Sequence, residues 1–326
     1  MKHWTATEIA ALQRLRERFL TGTAGAADYW RSTEELALYD RSLGERIGWK
    51  WDAVLRELAM RGWRPSGSHV LDWGCGTGIA SRRVLGCWPQ FTKLSVHDRS
   101  AQALRFAAEQ VRGAFPTVKV QAEEEVGPGS LLLVSHVINE LAPASLSRLL
   151  RLAANAADVI WVEAGTHADS RGLVEVREQM LARGFQAIAP CTHQARCGML
   201  APENARHWCH HFAAPPPEAF QNARWAEFGR ELNIDLRSLP YSFLVLSRRE
   251  STTPPGFARV IGRARDATGF SKILSSEESG VAELVLQKRD APALLREIRK
   301  GPEVPIYRWT VEAGKIKAGE PLPLRE

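Results

Sequence analysis

Leu71-Asp72-Trp73-Gly74-Cys75-Gly76-Thr77-Gly78 joins an apolar run, which predicts a strand, to a stretch that predicts a helix. Its three glycines allow the backbone to turn tightly and to approach a nucleotide with no Cβ in the way. Asp98 follows Gly78 by 20 residues and ends the next predicted strand, where a carboxylate can accept hydrogen bonds from ribose hydroxyls. Strand, glycine loop, helix and acid together predict a nucleotide-binding βαβ unit.

The chain on both sides of this loop alternates between strand-length apolar runs and helical stretches. Buried strands that alternate with helices predict a doubly wound α/β sheet. The predicted strands are 69–72, 93–96, 118–120, 131–134, 159–162, 185–189 and 241–246, and the predicted helices include 101–114, 144–154 and 172–183.

Three regions are predicted along the chain. They are an N-terminal helical region at 1–66, an α/β domain at 67–250 with a Cys/His-rich insertion at 190–212, and a small β-rich C-terminal domain at 251–326. The first region has capping-box spacing at Thr5 to Glu8 and again at Ser32 to Glu35. A linker-like stretch of small residues and prolines, Ser251 to Gly256, precedes the last region.

The composition is that of a globular protein without membrane spans. Of 326 residues, 44% are hydrophobic and 25% charged, and no run of 18 apolar residues is present. The odd number of cysteines, five, and the lack of a signal-like N-terminus predict reduced thiols in a cytoplasmic protein with no disulfide-linked partner. The net charge of +6 permits binding to a polyanion without requiring it.

The glycine loop closely resembles motif I of class I S-adenosylmethionine-dependent methyltransferases. The order here is acid-x-Gly-x-Gly-x-Gly, whereas dinucleotide-binding enzymes use Gly-x-Gly-x-x-Gly. The resemblance implies a Rossmann-like sheet of seven strands. It also implies that Asp72, Gly74, Gly76 and Gly78 hold the methionine end of S-adenosylmethionine and that Asp98 binds its ribose.

A second pattern is a cluster of cysteines and histidines within 21 residues. Its candidate ligands are Cys191, His193, Cys197, Cys209 and His210. Thiolates and imidazoles gathered in one segment are typical of zinc or iron–sulfur sites, so a soft metal is predicted. An alternative is a nucleophilic thiol in Pro190-Cys191, but that pair follows the sixth predicted strand, away from the expected methyl donor.

The whole pattern resembles one family, the mitochondrial small-subunit ribosome assembly proteins and their bacterial methyltransferase-like relatives. The residues that carry this resemblance are Asn139-Glu140-Leu141, Glu163-Ala-Gly165-Thr166, Ala189-Pro-Cys191-Thr-His193, Cys197 and Trp208-Cys209-His210-His211-Phe212. The family implies a four-iron cluster on four cysteines, the fourth in the C-terminal domain. Here that region reads Ser275-Ser276, which leaves four alternatives: a histidine ligand (His193 or His210), zinc, an open iron, or no metal.

Two functions follow from the resemblance. The first is a methyltransferase that acts on ribosomal RNA or on the small ribosomal subunit, and the second is a ribosome assembly factor that binds S-adenosylmethionine without turnover. The catalytic candidates are His136, Asn139 and Glu140, which follow the fourth predicted strand. The candidates for phosphate contacts in the C-terminal domain are Arg259, Arg263, Arg265 and Lys272.

Overall fold

The computed structural model describes residues 3–21, 28 and 30–325 and contains two compact units. Unit 1 comprises Met1–Leu55, Pro65–Val162 and Ala213–Leu239, and unit 2 comprises Arg56–Arg64, Glu163–Phe212 and Pro240–Glu326. Each unit is therefore built from three separate segments of the chain. The domain boundaries expected at residues 66 and 250 stay a prediction.

The central element is a mixed α/β sheet. Its strands are β1 (His69–Trp73), β2 (Lys93–His97), β3 (Lys119–Ala122), β4 (Ser130–Ser135), β5 (Asp158–Ala164), β6 (Gln186–Ala189), β7 (His211–Ala213) and β8 (Leu239–Ser247). The order is β3-β2-β1-β4-β5-β8-β6, with β7 paired to β8, and β5, β7 and β8 each contain residues of both units. Strands β1 to β5 pair in parallel, whereas β6 and β8 are antiparallel.

The expected α/β fold is thus present, with one correction. The sheet has eight strands rather than seven, because the last residues of the Cys/His-rich segment form the short strand β7. Whether residues 190–212 are an insertion into the fold stays a prediction. The interior residues of β4, Leu131 to Val134, are fully buried, as expected of a strand covered on both faces.

Ten α-helices are found among the described residues. They are α1 (Ala6–Leu20), α2 (Thr33–Tyr39), α3 (Glu45–Met60), α4 (Ile79–Cys87), α5 (Ala101–Ala114), α6 (Pro143–Ala153), α7 (His167–Leu181), α8 (Pro217–Gln221), α9 (Ala223–Glu231) and α10 (Pro292–Lys300). The predicted capping box begins α1: the Glu8 amide donates to Thr5 Oγ1, and the Thr5 amide donates to Glu8 Oε2. A π-helical turn, Asp40–Gly44, connects α2 to α3.

The expected β-rich C-terminal region is a closed barrel in unit 2. Its strands are β9 (Ala258–Ala267), β10 (Phe270–Glu277), β11 (Gly280–Gln287), β12 (Ile306–Glu312) and β13 (Lys315–Pro321). They close in the order β10-β11-β13-β12-β9, and β11 and β13 are parallel. Helix α10 lies between β11 and β12 in the chain and packs Leu294, Leu295 and Ile298 into the barrel core.

An ion pair within unit 2 joins the last turns of α3 to the first strand of the barrel. Arg259 donates to both carboxylate oxygens of Glu57, at 2.5 and 3.0 Å, and both side chains are nearly inaccessible to solvent. Arg61 contributes a second guanidinium, 3.3 Å from Glu57. The expectation that Arg259 contacts phosphates is therefore wrong, because this side chain is 3% exposed and already paired.

Glu57→Gln leaves two buried guanidiniums without their carboxylate. We expect the free energy of unfolding, measured in urea, to fall by about 3–5 kcal/mol. The control is Glu320→Gln, which breaks an exposed pair with Arg308 and should cost less than about 1 kcal/mol. Losses of equal size in the two variants would contradict a special role for the buried pair.

Candidate functional site

The loop between β1 and α4 is held by backbone hydrogen bonds to the end of β2. The amides of Gly74 and Cys75 both donate to the His97 carbonyl, at 2.8 and 3.0 Å. Gly74, Gly76 and Gly78 all have positive φ, at 73°, 52° and 75°, which glycine adopts without strain. The sequence therefore places its glycines where this loop conformation requires them.

The surroundings of the three glycines differ. A Cβ on Gly74 would lie 2.6 Å from Val137 Cγ1, and one on Gly78 would lie 3.1 Å from Ala107 Cβ. A Cβ on Gly76 would meet nothing within 4 Å. Gly74 and Gly78 thus serve close packing of the loop, whereas Gly76 borders open space into which a ligand can reach.

Two carboxylates lie beside this opening. Asp72 is fully buried, its Oδ2 accepts from Ser81 Oγ at 2.5 Å, and its Oδ1 has no partner among the described residues. Asp98 accepts from the amides of Gly76 and Ser100, at 2.9 and 2.8 Å. Burial raises the pKa of Asp72 to about 6 and also raises the pKa of Asp98. The unpartnered oxygen of Asp72 fits an amino group, which would supply the missing hydrogen bond and a positive charge.

The three catalytic candidates follow β4 but have different environments. His136 has a positive φ of 54°, and its Nε2 lies 3.5 Å from Lys50 Nζ. Burial, with the nearby Lys50 and Arg46 cations, holds the pKa of His136 well below its usual value, so the ring is neutral at pH 7. Asn139 is exposed, and Glu140 lies 3.4 Å from Arg99. The structure brings these residues near one another without assigning chemistry to any of them.

The three cysteines of the Cys/His-rich segment line one cavity in unit 2. Cys191, Cys197 and Cys209 share its wall with Ser276 and His193, whereas His210 does not line it. All three are free thiols. Four further buried polar atoms of the lining residues have no partner among the described residues: Ser170 Oγ, Thr192 Oγ1, His193 Nδ1 and Arg259 Nε. A dry apolar cavity needs no such atoms, so the wall is suited to a polar or metal ligand.

Positively charged groups surround these thiols. Arg177, which is buried, donates from Nε to Cys191 Sγ at 3.2 Å and from NH2 to the His193 carbonyl at 2.8 Å. Burial raises the pKa of Cys197 to about 11 and raises the pKa of Cys209 above its usual value. Without a metal, both side chains are therefore neutral thiols at pH 7 and poor nucleophiles.

His211, which was not among the predicted ligands, is the histidine that contacts Cys209. His211 Nε2 lies 3.7 Å from Cys209 Sγ, and its Nδ1 lies 3.3 Å from Arg259 NH2. Arg259 can only donate, so Nδ1 accepts and the proton of the neutral ring lies on Nε2, towards the thiol. Successive side chains of an extended segment point to opposite sides, which places His210 away from the cavity.

A single-ion site is not found in the part of the chain that the structure describes. No three His, Cys, Asp or Glu side chains there stand close enough to bind one metal ion. The predicted iron–sulfur or zinc site is therefore not shown. The three thiols remain donors of the type that soft metals prefer.

Among the described residues, no helix combines the length and apolarity that crossing a membrane requires. The structure contains no test of the expected cytoplasmic location, which stays a prediction.

Comparison with known proteins gives one family match. Residues 50–302 match the family described as mitochondrial small ribosomal subunit Rsm22. No curated protein matches the chain.

Similarities to solved structures are distant. Magnesium protoporphyrin IX methyltransferase from Synechocystis PCC 6803, with bound SAM, is 13% identical over 73% of this chain and 97% of its own, with a TM-score of 0.39. Precorrin-6y C5,15-methyltransferase from Geobacter metallireducens GS-15 is 10% identical over 61% and 87%, with a TM-score of 0.37. A SAM-dependent methyltransferase from Aquifex aeolicus is 14% identical over 48% and 90%, with a TM-score of 0.36.

The raised pKa of Asp72 predicts a pH-dependent stability. A carboxyl group that binds its proton more tightly in the folded chain stabilises the fold below its ordinary pKa of 3.8, and this stabilisation is lost as the pH rises through about 6. Between about pH 4 and pH 7, the wild-type chain should lose about 3 kcal/mol relative to Asp72→Asn, which cannot ionise. Urea unfolding at the two pH values measures the difference. A stability gap between the two proteins that does not change with pH would refute it.

Proposed function

We propose a function that starts from one fact: the chain belongs to the Rsm22 family of mitochondrial small ribosomal subunit proteins. In this proposal it is a methyltransferase-like protein that binds S-adenosylmethionine and acts on ribosomal RNA or on the small ribosomal subunit. The observation that carries the proposal is the open space at Gly76, beside the half-buried carboxylate of Asp98, together with the buried, partly unpartnered carboxylate of Asp72. Family membership is the reason for the proposed partner, and the geometry of the loop is the reason for the proposed cofactor.

Each residue of the loop has a distinct task in this proposal. Asp72 Oδ1 accepts from the ammonium group of S-adenosylmethionine, and Asp98, which is already fixed by two backbone amides, accepts from the ribose hydroxyls. The backbone at Gly76 allows close approach. When bound, S-adenosylmethionine supplies an electrophilic methyl group, for which the protein must provide mainly position and orientation.

A second function, a ribosome assembly factor without turnover, has one observation in its favour. Two catalytic candidates already have cationic neighbours, since Glu140 pairs with Arg99 and His136 lies against Lys50. Burial and the Lys50 cation hold the pKa of His136 low, so this residue is poorly prepared to take a proton from a substrate, whereas burial raises the pKa of Glu140. The two functions differ in one outcome: an Asp98→Ala variant that loses the cofactor but keeps full biological activity would favour the second.

We also propose that the thiol cavity holds a soft-metal centre. The three thiols, the hydroxyl of Ser276 and the unpartnered atoms on the wall support this assignment. The family resemblance favours an iron–sulfur cluster over tetrahedral zinc as the group that the thiols would hold. The thiolates would be the ligands, and the buried arginines would offset their negative charge.

Gly76→Ala tests the cofactor site. The added methyl group enters the space that the ligand needs, so we expect the affinity for S-adenosylmethionine, measured by calorimetry, to fall at least tenfold. The positive φ of this residue, which alanine tolerates poorly, contributes to that loss of affinity. Gly113→Ala is the matched control, because its Cβ also meets nothing within 4 Å but it lies in α5, away from the loop. No binding to the wild-type chain at millimolar S-adenosylmethionine would end the proposal.

Cys197→Ser tests the metal centre. Anaerobically purified wild-type protein should contain iron and acid-labile sulfide, whereas the variant should lose both and melt at a lower temperature. Cys87→Ser, at an exposed thiol of unit 1, is the control and should change neither quantity. Stoichiometric zinc in a colourless wild-type preparation would show that the site holds zinc and not an iron–sulfur cluster. If wild-type protein contains neither metal and Cys191→Ser is as stable as wild type, the cavity is not a metal site.

A further inference from the structure

The barrel of unit 2 has the strand order of a nucleic-acid-binding fold. Counted along the chain, its five strands close in the order 1-2-3-5-4-1, strands 3 and 5 are parallel, and a helix lies between strands 3 and 4. This is the Greek-key arrangement of the OB-fold, which binds oligonucleotides on the outer face around its second and third strands. The outer face of β9, β10 and β11 is therefore the face on which nucleic-acid binding is expected.

The strand registers divide this outer face into rows. Arg265 pairs with Lys272, which pairs with Val285, and this row lies towards one end of the strands. Ile261 pairs with Leu274, and Arg259 pairs with Ser276 and thus with Val281, towards the other end.

The two ends of the face have different neighbours. Ile261, Leu274 and Val281 pack in one apolar cluster with Cys197 and Met199, so the Cys/His-rich segment covers this end. At the other end Arg265 and Lys272 are exposed, by 60% and 47%, and both pair with the single carboxylate of Glu283. The surface that remains open is therefore the positively charged one.

A row of aromatic rings adjoins the open end. Trp208 and His210 are stacked, with centroids 4.7 Å apart and planes 23° apart, and Phe212 lies edge-on to His210 at 5.4 Å. The Arg263 guanidinium lies 4.0 Å from the centroid of the Phe212 ring. The three rings are half-buried rather than enclosed, and the exposed Arg206 lies within the same segment.

We propose that this aromatic row and the open end of the barrel face bind single-stranded RNA. Bases stack on exposed aromatic rings whatever their sequence, while arginine and lysine side chains neutralise the phosphates. Arg206, Arg263, Arg265 and Lys272 are exposed cations of this surface, and Glu283, which pairs with two of them, is half-buried. A rigid aromatic row combined with a net positive charge fits an unpaired polyanion better than it fits a duplex or a protein.

The proposal rests on the proposed function, because it names the surface through which this chain holds ribosomal RNA. It also makes use of a feature that the cofactor loop and the thiol cavity leave without a task. In this proposal His210, which the sequence predicted as a metal ligand, serves instead as a member of the stacked aromatic row.

The experiment measures binding of a fluorescein-labelled 12-nucleotide uridine RNA by anisotropy. Trp208→Leu removes one stacking ring and should weaken binding by about 5- to 150-fold, whereas Trp208→Phe, which keeps a ring, should bind more tightly than the leucine variant. Arg206→Gln with Arg265→Gln should lower the slope of log affinity against log salt by about 1.4, since two phosphate contacts are lost. The control, Arg296→Gln with Arg308→Gln, removes the same charge elsewhere in unit 2 and should leave the slope unchanged.

Circular dichroism and the melting temperature of every variant show whether it is folded, and the two arginine variants keep the test valid if Trp208→Leu does not fold. Absence of RNA binding by wild type, equal binding of a duplex, or unchanged binding by the tryptophan and arginine variants overturns the inference. Co-sedimentation with small ribosomal subunits and calorimetry with S-adenosylmethionine test the proposed function separately. Wild-type protein that passes both, with RNA binding that the variants leave unchanged, would overturn only the surface assigned here.

Discussion

The ion pair between Glu57 and Arg259 is the contact on which unit 2 depends. Burying either charge alone is costly, so each requires the other to be in place. Their neighbours extend the requirement: Arg61 donates to the carbonyls of Ile188 and Cys191, and Arg259 reaches His211, which in turn contacts Cys209. One carboxylate thus organises the last turns of α3, the first barrel strand and two walls of the thiol cavity.

The two sites are built on opposite principles. In unit 1 the fold leaves space: the backbone of Gly76 borders an opening, and Asp72 keeps one oxygen unused at the cost of a raised pKa. In unit 2 the fold gathers three thiols beside a buried arginine, and burial opposes the ionisation of two of them, Cys197 and Cys209. The first arrangement suits a ligand that comes and goes, and the second suits one that becomes part of the structure.

Much of the α/β sheet was predictable from sequence because its signals are local. Apolar runs identified β1 to β6 and β8, and the glycines of the loop occupy the positions where positive φ is needed. Strands β10 and β13 were missed because polar and charged residues alternate in them, and their identity depends on partners across the barrel. The burial of Arg259 also depends on a distant partner. The sequence shows only a basic residue, and its side chain is buried because Glu57 lies opposite it.

Sequence alone does not show which of the two neighbouring histidines, His210 or His211, turns towards Cys209. Both are histidines beside Cys209, and nothing in their composition separates them, but a shift of one residue along an extended segment turns a side chain to the opposite face. The backbone pairing of His210 with Gly262 fixes which ring turns towards Cys209 and which one joins the stacked row.

The sequence distance within the Glu57–Arg259 pair also sets an order of events during synthesis. The two residues are 202 positions apart. At ribosomal rates of 5–20 residues per second, Glu57 leaves the ribosome about 10–40 s before its partner exists. Unit 1, whose parallel strands lie almost entirely between these two positions, can form its sheet in that interval, whereas unit 2 cannot close until the first barrel strand has been translated. A nascent chain that stalls before Arg259 can therefore pair Glu57 only with Arg61, its neighbour on the same helix, and still lacks the guanidinium that binds both carboxylate oxygens.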